Sequence, residues 1–146
     1  MNLTTRKLIE KRFGRVKIYS DGFRVSLARH SGRSGKVQPV VQEKPWGAEV
    51  WIVYTSKYAL KHIIVEAGKR LSLQKHTKKT ETNYIISGRP VITLGNKKIT
   101  LKPGDVLHVK AGTTHRIFAS HGPIEIVEVS SPELSDVMRL ADDYGR

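Results

Sequence analysis

The sequence predicts an all-β protein, a sandwich or barrel preceded by a small basic N-terminal extension, and three observations predict it. From Val50 onward the chain divides into short runs rich in β-branched and aromatic residues, at 49–55, 58–66, 70–76, 82–87, 90–95, 97–102, 105–109, 114–119 and 123–130. Turn signals stand between them, among them Leu94-Gly95-Asn96-Lys97 and Lys102-Pro103-Gly104-Asp105. The charge is uneven: residues 1–44 hold 11 Lys or Arg against 3 Asp or Glu, and the remainder hold 15 against 10. Many short strands at near-even spacing are the pattern of a doubled or closed antiparallel sheet.

In chain order, Leu3, Leu8, Ile9 and Phe13 fall on one stripe with Thr4 or Thr5 as a cap, which predicts an amphipathic helix over 5–13. Runs at 15–19 and 23–27 flank Ser20-Asp21-Gly22, a hairpin signal. Residues 30–38, rich in Gly and Ser, read as a connector. These assignments divide the chain into an extension, 1–43, and a β-domain, 44–146. The last segment, 134–141, reads as one or two helical turns.

Composition narrows the chemistry. With 146 residues the chain has the length of one domain. It has no cysteine, so disulfides, thiolate metal sites and thiol nucleophiles are excluded. No apolar run approaches the roughly 18 residues of a membrane span, and the N-terminus lacks a signal-peptide layout, so a cytoplasmic protein with no membrane partner is expected. The basic extension has no recognised nucleic-acid reader motif and few aromatic residues, so no nucleic-acid partner is expected. Its helix and hairpin would instead cover a second copy of the chain in a homodimer.

The informative stretch is 68–88, GKRLSLQKHTKKTETNYIISG. Gln74 and His76 lie two apart in a β-type run and share a face, and Glu81 follows a short turn. Further on, Gly104 to His115 brings a second imidazole after a Gly-rich corner. One amide, two imidazoles and one carboxylate suit a divalent ion, with positions left open for a substrate oxygen. Strand parity turns Lys61 inward with Ile63 and Val65, and Glu128 inward with Ile124 and Ile126. Charges in a small apolar barrel are costly unless paired or used. His30, His62, His108 and His121 match no such pattern and are read as ordinary polar residues.

The spacing Gly68, Gln74, His76, Glu81, Gly88 and then Gly104, Gly112, His115 resembles the two motifs of the cupin superfamily, with Gln74 where most members have His and Lys110 where they have Pro. The run Leu71-Ser72-Leu73-Gln74-Lys75-His76 is similar to that of type II mannose-6-phosphate isomerases, whose C-terminal domain is a cupin. Lys44-Pro45-Trp46-Gly47, Lys61, His115-Arg116, Glu128-Val129 and the Arg139, Asp142, Tyr144, Gly145, Arg146 ending extend the similarity over about residues 44–146. Two departures stand out: Lys79 replaces an arginine implicated in catalysis, and Thr82-Asn83 replaces His-Trp.

The resemblance implies a cupin double-stranded β-helix, or jelly-roll barrel, and a metal held by Gln74, His76, Glu81 and His115. Zn is the first expectation, with Mn, Co, Ni or Fe as alternatives. It implies interconversion of mannose 6-phosphate and fructose 6-phosphate, with a phosphorylated hexose as partner. Lys61, Lys79, Glu128 and Arg139 are then the catalytic candidates, and Arg116, Lys79 and Arg139 would grip the substrate. Two alternatives stand beside this: a non-catalytic cupin that binds a sugar phosphate or nucleotide sugar, and another metal cupin enzyme such as an epimerase or dioxygenase.

Overall fold

Alternation of apolar and polar residues gives most strands one face to bury, and in the computed structural model these faces close on each other as two sheets. The structure describes residues 1–21 and 25–146. Helix α1 (Leu3–Phe13) and strand β1 (Lys17–Tyr19) are followed by a 3-10 turn at Val25–Ala28. Then come β2 (Val40–Lys44), β3 (Gly47–Tyr54), β4 (Ala59–Val65), β5 (Leu73–Lys75), β6 (Glu81–Ser87) and β7 (Val91–Leu94). The chain ends with β8 (Lys97–Thr100), β9 (Val106–Val109), β10 (His115–Phe118), β11 (Ile124–Ser130) and β12 (Met138–Ala141). One sheet has seven strands in the order β1-β2-β3-β4-β11-β6-β9, the other five in the order β12-β5-β10-β7-β8.

The inward faces make the main core, with Trp46, Ile63, Val65, Ile85, Ile92, Ile117, Ile124 and Ile126 all buried. Gly47 follows the Pro45-Trp46 turn between β2 and β3 at φ 144°, and a Cβ there would overlap the Ile64 carbonyl oxygen. Gly88, at φ 81°, is similarly pressed against the Pro123 carbonyl. Only glycine meets both the conformation and the close approach at these two places. The two-residue turn at Gly95-Asn96 and the turn closed by Asp105 N–H to the Lys102 carbonyl (3.0 Å) stand where the sequence puts them.

A second core lies outside the barrel. Ile9 of α1, 0% exposed, packs on Val41, Ala48, Val50 and Ile64, with Leu8, Phe13, Val16 and Ile18 at its edge. Filling that position is worth about 2–5 kcal/mol against an Ile9→Ala cavity. Much of the apolar side of the extension is thus spent on its own sheet, while Leu3 stays 66% exposed. The boundary drawn between 43 and 44 also falls inside β2, which pairs along its whole length with β3.

Four sequence expectations need correction. The helix cap is Asn2, whose side chain accepts the Thr5 N–H at 2.8 Å, because Thr5 itself is buried with its hydroxyl on Glu66. Among the described residues β1 pairs in parallel with β2 and not with the strand expected at 23–27. Part of that expected strand lies outside the described residues, and Val25–Ala28 forms a 3-10 turn. The segment 134–141 carries β12, because its chain lies against the free edge of β5 and completes its ladder there.

Candidate metal and ligand site

Antiparallel register brings inward side chains of the seven-stranded sheet into rungs. Trp51, Lys61, Glu128, Asn83 and Leu107 stand opposite one another on β3, β4, β11, β6 and β9. In the same way Ser130, Glu81 and Val109 form the rung nearest the loop after β5. The five-stranded sheet faces them with Gln74 opposite His115. Lys61 and Glu128 therefore point inward as their strand parity predicts, and both are buried.

His76, Glu81 and His115, each 2% exposed, offer ligand atoms that all lie within 4.8 Å of one another. His76 Nε2 is 3.3 Å from Glu81 Oε2, and His115 Nε2 is 3.2 Å from Oε1. Each ring also has its Nδ1 against a backbone carbonyl, His76 on Asp136 and His115 on Thr113 (3.0 Å). Donation from Nδ1–H fixes the tautomer that leaves Nε2 a bare lone pair. His76 Nε2 is in fact buried without a hydrogen-bond partner. With both rings neutral, two lone pairs face a carboxylate, a repulsion that protonation of His115 or a cation between the groups relieves, so the donor set fits a divalent metal.

Gln74 is placed less simply. Its Oε1 accepts the Ser72 hydroxyl at 2.9 Å, and its Nε2 lies 3.5 Å from His115 Nε2. A half-turn of the amide would present the oxygen to the cluster.

Lys79 links this cluster to the next. Its ammonium donates to Glu81 Oε2 (2.7 Å) and Glu128 Oε1 (3.2 Å), while Lys61 lies 3.2 Å from the same Glu128 oxygen and 4.6 Å above the Trp51 ring. Burial works to lower the pKa of both lysines, but Glu128 with Glu81 outweighs it at Lys79, and Glu128 with Glu49 at Lys61, so both are raised. Burial works to raise the Glu81 pKa, yet the two histidines and Lys79 hold it well below the usual carboxylate range. The His115 pKa is pushed down by burial and up, by more, by Glu81.

Beside these groups lies a cavity of about 230 Å³, smaller than the roughly 300 Å³ at which drug-sized pockets begin. Lys44, Lys61, Lys79, Arg139 and Arg146 line it against two carboxylates, Glu49 and Glu128. Arg139 reaches it from β12, and Arg146 is held there by a fork of bonds to Asp142 (2.7 and 3.1 Å). That fork, working against slight burial, brings the Asp142 pKa down to about 2. Arg116 is not brought to the cavity. It leaves the opposite face of β10 from His115 and binds the Leu71 carbonyl (2.8 Å) and Asp143 (2.9 Å).

Sequence reasoning missed two residues here. Glu49 lines the cavity from β3, and nothing in its surroundings marks it in the sequence. Asp136 accepts the backbone N–H groups of Thr77 (3.0 Å), Lys78 (2.5 Å) and Lys79 (2.9 Å), and those bonds depress its pKa. It thereby fixes the loop that carries His76 and Lys79 from nearly sixty residues away.

The family model for the mannose-6-phosphate isomerase C-terminal domain matches residues 24–142, a span beginning before β2. The xanthan biosynthesis protein XanB of Xanthomonas campestris is 32% identical over 127 residues, covering 84% of this chain and 27% of that protein. The mannose-1-phosphate guanylyltransferase of Escherichia coli is 32% identical over 108 residues, covering 70% and 22%. The chain thus spans about a quarter of the length of these relatives. Among solved structures, a Klebsiella pneumoniae protein with a double-stranded β-helix domain matches with a TM-score of 0.58 at 20% identity, over 86% of this chain and 100% of that one. The fold is the cupin jelly roll that the sequence predicts.

Proposed function

Since the chain belongs to the mannose-6-phosphate isomerase C-terminal family, we propose that it is a metal-dependent sugar-phosphate isomerase interconverting mannose 6-phosphate and fructose 6-phosphate. The observation that carries this reading is the His76, Glu81, His115 cluster, with its unpartnered Nε2, opening beside a cavity with five cationic and two anionic side chains. Two imidazoles and a carboxylate suit Zn first, and Mn, Co, Ni or Fe as alternatives. Bound there, the ion would supply Lewis-acid polarisation of the sugar's carbonyl and neighbouring hydroxyl oxygens.

The chain's own residues divide the remaining work. Lys61 and Lys79 keep their protons at neutral pH, which makes them donors to developing oxygen charge and removes Lys61 as a general base. Glu128 is then the proton acceptor: the proton leaves C2 for its carboxylate and returns to C1, while a proton passes from the C2 oxygen to the C1 oxygen. Arg139 and Arg146 at the mouth suit a phosphate, for which the guanidinium fork is the better donor.

Elemental analysis of the purified chain followed by a coupled assay with mannose 6-phosphate tests the proposal. Metal-dependent formation of fructose 6-phosphate is expected, and Lys79→Arg keeps or raises turnover because the fork adds a directed bond to the same charge. Binding of metal and mannose 6-phosphate without interconversion would overturn it. That result would favour the second reading, a non-catalytic sugar-phosphate binding module, for which the tight Lys79 to Glu81 contact already speaks.

A further inference from the structure

Three carboxylates face the barrel interior, and two of them are paired at close range with buried cations of the protein. Glu81 has Lys79 and His76 at Oε2, and His115 and Asn83 (3.3 Å) at Oε1. Glu128 is shared by two ammonium groups. Glu49 differs. It stands two residues before Trp51 on β3, so both face the cavity, and its side chain is 14% exposed.

Among the described residues its one ion pair is with Lys44, whose Nζ is 3.6 Å from Oε2, beyond ordinary hydrogen-bond reach. Apart from this long Lys44 contact, no protein donor among those residues makes a hydrogen bond to either oxygen. Burial alone would raise its pKa, but the fields of Lys61, Lys44 and Lys79 keep it lowered, hence ionised. An ionised carboxylate accepts only, and one open to a cavity takes its donors from the ligand. Its two oxygens can accept from hydroxyl groups on adjacent carbons, and Trp51 beside it gives an apolar wall.

We propose that Glu49 is the hydroxyl-recognising residue of this cavity, accepting hydrogen bonds from two adjacent hydroxyls of a phosphorylated sugar whose phosphate lies at Arg139 and Arg146. The inference rests on the sugar-phosphate reading above and adds to it the residue that distinguishes a polyol phosphate from a bare anion. A carboxylate serving only as counter-ion to Lys44 and Lys61 would repel every anionic ligand alike. A recognising carboxylate repels inorganic phosphate but attracts the sugar. The two roles therefore give opposite signs when the charge is removed.

Calorimetric titration of the full chain with inorganic phosphate and with mannose 6-phosphate separates them, thermal unfolding serving as the control for folding. In Glu49→Gln, inorganic phosphate binds as well as before or up to about threefold tighter, because one repulsive charge is gone. Mannose 6-phosphate binds about tenfold more weakly, because a charged acceptor is replaced by a neutral one. Glu49→Asp keeps the charge and withdraws it by one methylene, so phosphate binding is unchanged and mannose 6-phosphate binding weakens. This second variant carries the test if the first fails to fold. Tightening of both ligands in Glu49→Gln, or unchanged sugar-phosphate binding in both variants, would overturn the proposal while leaving the sugar-phosphate reading intact. A wild-type chain that binds inorganic phosphate but not mannose 6-phosphate would overturn both.

Discussion

Strands β4 and β11 carry two charged networks on opposite faces, and neighbours in sequence serve different ones. Lys61 and Glu128 point into the barrel, His62 and Glu125 out of it beneath α1. Outside, Glu125 Oε1 accepts Arg12 Nη2 and Ser87 Oγ, both at 3.0 Å, while His62 Nε2 and Arg12 Nε meet Oε2 at 3.0 and 2.7 Å. Phe13 closes this network edge-on against the His62 ring. Both oxygens are filled by protein, and the result ties helix to sheet. Inside, the same kinds of residue leave His76 Nε2 unpartnered, Glu49 open and cations in excess. Burial and ion pairing are common to both faces, so neither marks function. Unfilled hydrogen-bonding capacity does.

The largest effect that breaks the comparison comes from the imidazoles. His76→Ala or His115→Ala is expected to weaken metal binding by about a hundredfold or more, beyond the cost of losing an outer-shell partner. Glu125→Ala, on the outer face of β11, leaves metal binding unchanged. Elemental analysis with chelator competition reads all three. Wild-type metal content in both histidine variants would remove the distinction between the networks.

Cations at the two centres come next. Lys79→Met leaves Glu81 and Glu128 buried with one ammonium fewer, a break expected to cost about 3–5 kcal/mol in metal-free protein. Added divalent metal should recover part of that loss by supplying the missing charge. Arg12→Met removes a half-exposed guanidinium and is expected to cost about 1 kcal/mol or less. Denaturant unfolding measures both, and equal costs would mean that the two networks are equally structural.

What the sequence disclosed follows from range. Strand alternation is local, so the inward placement of Lys61 and Glu128 was legible, and fixed motif spacing brought His76, Glu81 and His115 together. Asp136 was hidden because its three backbone donors lie on a loop 57 to 59 residues away. β12 was mistaken for helix because Met-Arg-Leu-Ala is too short to show a period, and pairing with β5 decided it. Glu49 was overlooked because no second residue in the sequence points to it; its meaning lies in oxygens that no close protein donor fills, Lys44 standing 3.6 Å away. His62 looked ordinary because its outer face is covered by a helix whose docking no local pattern announces.

That covered histidine gives the smallest effect, and its sign separates the faces. His62 lies between Val50 of β3 and Val127 of β11 by register, with Phe13 and Arg12 of α1 above and Glu125 beside it. Burial lowers its pKa below the ordinary value of about 6.5 and outweighs the raising effect of Glu125. The folded ring therefore stays neutral where the unfolded chain takes up a proton, so stability rises with pH in that interval and is lost as pH falls through about 6.5. Glu125 acts lower. Burial raises its pKa, the Arg12 and Ser87 hydrogen bonds more than offset that, and its contribution disappears only as pH falls through the depressed folded value. Acidification should thus loosen α1 in two steps, His62 first. His62→Gln keeps a donor for Glu125 and does not titrate, so from about pH 8 to about pH 5 the wild-type Tm should fall relative to the variant. Parallel curves would show that the outer network does not sense pH through this ring. Metal content stays equal in the two proteins, since the exchanged side chain faces away from the barrel.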